Sequence, residues 1–153
     1  MIDPAPSGSS ATLATLRSAL LAVLVLGIAG LGAELFLLEH TEDVWQWIPI
    51  ALLGAAVLGI GFHLVRPGRA SIRTLQAIML LIVASGLVGL ALHYKGNVEF
   101  EREMYPGLAG FALFKMAMSG ATPALAPGTM VLYGLLGLLY TFRHPSLPHG
   151  SRG

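Results

Sequence analysis

The feature that most constrains this chain is the apolar run Ser18–Leu38, broken by one charged residue, Glu34. About 20 apolar residues, at about 1.5 Å per residue in a helix, cross the roughly 30 Å hydrocarbon layer of a bilayer. Inside that layer the backbone must satisfy its own hydrogen bonds, so such a run folds as a helix. Three more apolar stretches follow, Val44–Val65, Ile72–Tyr94 and Pro127–Phe142. The expectation is an all-α integral membrane protein with four transmembrane helices. The shorter amphipathic stretch Leu108–Ser119 is expected to lie in the interface between the third and fourth spans, with Phe111 and Phe114 toward lipid and Lys115 toward water.

Composition supports this. Of 153 residues only 11% are charged, against about 25% in soluble domains. So few polar groups cannot cover a water-exposed surface, and the lipid bilayer is the partner they imply. The balance of +1 and the lack of a basic run argue against nucleic acid. Without cysteine the chain has no disulfides and no thiolate metal sites.

The domain pattern is a flexible tail over 1–12, a four-helix transmembrane domain over 13–142 and a second flexible tail over 143–153. Arg17 ahead of an apolar run that passes Gly27-Ile28-Ala29-Gly30 resembles a cleavable signal, but the run continues to Leu38, so an uncleaved anchor is expected. Pro49 falls in the first turns of the second span, where a missing N–H costs little. Arg66-Pro67-Gly68-Arg69 ends that span, and Gly96 is the expected cap of the third.

Charge sets the expected orientation. Arg17, Arg66, Arg69, Arg73, Arg143 and Arg152 fall on one side of the four-span arrangement, and Lys95, Arg102 and Lys115 on the other. The positive-inside rule puts both termini in the cytoplasm, in a cell (inner) membrane. Two polar clusters then emerge on the outer side. One is Glu39, His40, Glu42 and Asp43; the other is His93, Asn97, Glu99, Glu101 and Glu103. Imidazoles with carboxylates suit a divalent metal such as Zn²⁺ or Mn²⁺, and Glu39, His40, Glu42, Asp43, His93 and Glu99 are the candidate donors. No spacing among them matches a metal motif.

Glu34 and His93 are the intramembrane polar pair. Glu34 follows Gly30 by four and Gly27 by seven, and His93 follows Gly89 and Gly86 in the same way, so each sits on a small-residue helix face. Such faces mark close helix contact. The expectation is that Glu34 meets His93 between spans one and three, or bonds a partner such as Gln46. His63 and His144, beside Arg66 and Arg143, are expected to mark the opposite boundary, which argues against haem. The methionines Met104, Met116, Met118 and Met130 are assigned to lipid or packing. No nucleophile triad and no phosphate loop occurs, so an enzyme at the outer interface, with Glu34, His40 or His93 as acid or base, ranks last. A structural or assembly subunit of a membrane complex ranks first, as a homo-oligomer or with other chains. Divalent-cation binding or transport is the alternative.

Overall fold

The computed structural model describes residues 8–120 and 122–147. It is all-helical over those residues. The helices are α1 (Gly8–Leu37), α2 (Val44–Val65), α3 (Arg69–Met104), α4 (Gly110–Met118) and α5 (Gly128–Thr141). α1, α2 and α3 are each long and apolar enough to cross a membrane. α5 has 14 residues, about 21 Å at 1.5 Å per residue and short of the hydrocarbon layer.

Four helices close a ring. α1 packs on α2, α2 on α3, α3 on α5 and α5 back on α1, while α4 leans on α3. α1 and α3 therefore lie across the ring from one another. The core is Leu24 and Ile28 of α1, Leu53 and Ile60 of α2, Ile72, Leu75, Met79 and Ile82 of α3, and Met130 and Tyr140 of α5. One end of the bundle carries Glu39, Glu42 and Asp43, and is called the acidic end; the other carries Arg17, Arg66, Arg69 and Arg143, the arginine end.

Glycine decides the closest contacts. A Cβ at Gly134 would meet Val83 Cγ2 at 2.5 Å and the Met79 carbonyl oxygen at 2.8 Å. One at Gly86 would meet Val131 N at 2.9 Å, and one at Gly89 would meet Pro127 Cβ at 2.9 Å. The small-residue face of α3 is thus used for close packing, but its partner is α5. α5 is continued by residues 122–127, since Pro123 reaches His93 at the acidic end and Tyr140 reaches His63 at the arginine end. This composite segment runs beside α3 from His93 to the arginine end.

Several boundaries differ from the sequence expectation. α1 begins at Gly8, so residues 8–12 are helical and not tail. Residues 1–7 and 148–153 of the two tails lie outside the described residues. The start of the second tail is ordered against the bundle, with Leu147 packed on the core. α3 passes through Gly96 and runs ten residues beyond Tyr94, to Met104. Lys95 and Glu99 pair at 3.6 Å on its exposed side, and Asn97 and Glu101 bury their side against α4. A charged stretch of good helix formers prolongs a helix when one face has somewhere to pack. The interfacial stretch condenses to Gly110–Met118, where Phe111 and Phe114 stack with centroids 6.1 Å apart.

Candidate functional site

The cap of α1 folds the acidic end inward. Glu39 adopts φ 53, in the left-handed region. His40 N–H donates to Leu35 O at 2.9 Å and Glu39 N–H to Phe36 O at 3.1 Å. This six-to-one and shorter bond pair is the Schellman termination, usually built with glycine at the left-handed position. It reverses the chain and returns His40 to the bundle. Asp43 then caps α2 by accepting from Gln46 N–H at 2.9 Å. Gln46 Oε1 accepts from Glu42 N–H at 2.7 Å, and the Trp47 indole donates to Thr41 O at 3.1 Å. The loop is held at three points.

Beneath this loop the ring is not filled. A cavity of about 760 Å³ opens at the acidic end, lined by Glu34, His40, Asp43 and His93 among mainly apolar residues of α1, α2, α3 and α5. The core side chains converge nearer the arginine end, where α5 is fully helical. At the acidic end the non-helical segment 122–127 stands in for a helix and leaves the gap.

His93 does not bond Glu34. Its Nδ1 lies 3.1 Å from Pro123 O. A carbonyl only accepts, so Nδ1 carries the proton and, in the neutral ring, Nε2 keeps its lone pair. Glu34 is exposed and has no side-chain hydrogen bond or ion pair among the described residues, and Gln46 is engaged elsewhere. The expected Glu34–His93 contact is corrected for a topological reason: α1 and α3 are diagonal, so their polar faces look into one cavity instead of touching. Burial lowers the His40 pKa below the ordinary 6.5; the nearby His93 lowers it further, and Asp43 opposes both.

Of the expected metal donors, His40, Asp43 and His93 share the cavity, and Glu34, expected as an intramembrane polar residue, lines it with them. Glu39 and Glu42 are on the outside of the loop and exposed, and Glu99 is paired with Lys95. No group of three or more His, Asp or Glu among the described residues stands in metal-holding reach.

Two polar arrangements escaped the sequence. Asn97, 3% exposed, donates through Nδ2 to Ala117 O at 2.8 Å and to Thr122 O at 2.6 Å, and accepts from Thr122 N–H at 3.3 Å. One side chain thereby ties α3 to the end of α4 and to the start of the composite segment. One turn on, Glu101 is buried with its Oε2 unpartnered. The four-residue spacing of Asn97 and Glu101 was the visible signal of a polar face turned inward.

The second arrangement closes the arginine end. His63 is buried, not a solvated boundary residue, and its Nδ1 lies 2.9 Å from Ser71 Oγ. Its ring meets those of His144 and Tyr140 edge-on, with centroids 5.0 and 6.0 Å away. Arg17 donates to Arg143 O at 3.0 Å, tying α1 to the chain after α5. Burial lowers the His144 pKa, and His63 and Arg17 lower it further. Local spacing could not reveal this cluster, because its members come from α2, α3, α5 and the chain beyond it.

Among known proteins, no family model, curated protein or solved structure matches this chain.

Proposed function

We propose that the protein crosses a cell (inner) membrane four times, with both termini and the Arg66–Arg73 turn in the cytoplasm, and serves as a subunit of a larger membrane complex. The fourth crossing combines residues 122–127 with α5, which together match the run of α3 from His93 to the arginine end. Arginine asymmetry supports the orientation. Because the chain has no native cysteine, a single Gly68→Cys variant reports it cleanly, and a Cβ there meets nothing. A membrane-impermeant thiol reagent is expected to label it only after the cytoplasmic face is opened. Labelling from outside on intact cells overturns the topology.

The observation that carries the subunit reading is the lipid-facing side of α1 and α2. Of the 30 residues of α1, only Leu24, Ile28 and Leu31 are buried. Beside them runs a shallow groove of about 410 Å³ whose lining includes Ala29, Gly32, Ala33 and Gly54 together with larger apolar residues such as Phe36, Ile50 and Val57. Small residues admit another transmembrane helix at close range. Cβ atoms at Gly32 and Gly54 meet nothing within the protomer, so these glycines serve no packing of the chain's own. The occupant is a partner helix.

Tagged protein drawn from its native membrane in mild detergent is expected to migrate as an assembly. Gly32→Leu and Gly54→Leu are expected to reduce it to the lone protomer with unchanged thermal melting, because they fill the groove without touching the bundle. A wild-type protein that already runs as a lone protomer overturns the reading. The divalent-cation alternative keeps His40, Asp43 and His93 as donors in the cavity, and with no group of three donors in metal-holding reach among the described residues it is the weaker one.

A further inference from the structure

We propose that the cavity at the acidic end binds an amphiphilic amine, an ammonium head on a hydrocarbon tail, with Glu34 as the counter-ion. The inference is independent of the subunit reading, because the cavity and the α1–α2 groove are separate surfaces. Its volume, about 760 Å³, lies within the range of about 300–1,000 Å³ usual for ligand pockets. Its lining is mostly apolar, which suits a tail. Its charged groups are two carboxylates, Glu34 and Asp43, with no Lys or Arg on the wall.

The remaining groups agree with a cationic head. His93 has its N–H committed to Pro123 O, so it offers the cavity an acceptor. Trp45 also lines the cavity, and an indole face attracts an ammonium. Asp43 already accepts from Gln46 N–H as the cap of α2, whereas the Glu34 carboxylate has no partner among the described residues. A carboxyl placed within an apolar span is costly unless it is paired or faces a polar space. An ammonium supplies that pairing at the depth where Glu34 stands. A carboxylate or phosphate head would instead meet like charge.

The test uses the full chain purified in a neutral maltoside detergent. Dodecylamine, dodecanol and dodecanoate are titrated at pH 7.5, with tryptophan fluorescence and thermal melting as readouts. A ligand that binds only the folded state raises the melting temperature by mass action. The expected result is saturable binding and stabilisation by dodecylamine, roughly tenfold tighter than by dodecanol, and none by dodecanoate. Glu34→Gln keeps the shape and has no bond to lose, so it should melt like wild type while losing that preference. Glu34→Asp, which keeps the charge, should retain part of it.

Equal stabilisation by amine and alcohol overturns the proposal, leaving a cavity that takes tails alone. So does an unchanged amine preference in Glu34→Gln. Stabilisation by Zn²⁺ or Mn²⁺ alone that requires Glu34 and His93 also overturns it, in favour of a metal site. Repeating the titration on Gly32→Leu separates this outcome from assembly. If the groove variant falls to the protomer yet binds amine as before, each proposal stands or fails by itself.

Discussion

Gly134→Leu is expected to prevent the bundle from closing. α3 and α5 form the most extensive packing among the described residues, and at Gly134 the backbone of α3 leaves no room for a Cβ. A Cβ there would meet the Met79 carbonyl oxygen at 2.8 Å and Val83 N at 3.0 Å. Backbone atoms cannot rotate aside as a side chain can, so the helices themselves must separate. Even alanine should cost about 1–3 kcal/mol through overpacking, which outweighs the roughly 1 kcal/mol that alanine gains over glycine in a helix. Gly137 is the built-in comparison. Its neighbours are atoms of the Met79 side chain, a flexible thioether that can move. The expected order of melting temperatures is therefore wild type, Gly137→Ala, Gly134→Ala, with Gly134→Leu giving no cooperative transition in detergent. A Gly134→Leu protein that melts like wild type would show that α3 and α5 do not pack in this register.

Asn97→Leu is expected to have the next largest effect. The substitution removes two donors and one acceptor from a buried site, leaving Ala117 O, Thr122 O and Thr122 N without their partner. A buried polar group left unmade costs about 1–3 kcal/mol. Leucine also brings a branched side chain against Gly120, whose Cβ position already lies 2.8 Å from Asn97 Cγ. The damage should be regional: α4 and residues 119–127 release from α3, while the core at the arginine end stays packed. Hydrogen exchange by mass spectrometry should show faster exchange over 110–127 and little change over 70–82. Asn97→Asp is expected to resemble Asn97→Leu, because a carboxylate accepts but cannot donate to two carbonyls. Protection over 110–127 equal to wild type in both variants would remove Asn97 from its role as the tie. This tie also holds Pro123 under His93, so the same variants should loosen the roof of the cavity.

How much was legible from the chain can be judged residue by residue. The all-helical membrane class and the first three spans follow from apolar runs and few charges, because lipid allows little else. Asp43 was read only as a metal donor, and its role as the cap of α2 came from the structure. The small-residue faces at Gly86 and Gly89 were legible as packing faces, because close approach needs the missing Cβ whatever the partner. Gly96 was misjudged as a helix end: a residue that can terminate a helix does so only when nothing beyond it packs, and Asn97 and Glu101 had α4 to pack against.

What the tertiary structure alone decided is who faces whom. Glu34 and His93 lie on matching faces of two spans, and periodicity made them look like partners. The ring order α1, α2, α3, α5 puts their helices on a diagonal and a cavity between them. In the same way His63, Ser71, Tyr140 and His144 are unremarkable in sequence and meet only because α2 and α5 end at the level where α3 begins. Periodicity reports which side of a helix is unlike the rest, since that is a property of one helix in one solvent. It carries no information about the azimuth at which the next helix is placed, because the choice of neighbour is set by the sum of close contacts across the whole ring. In this protein the close contacts allowed by Gly86, Gly89 and Gly134 drew α5 and the residue before it onto the face of α3 that α1 was expected to take.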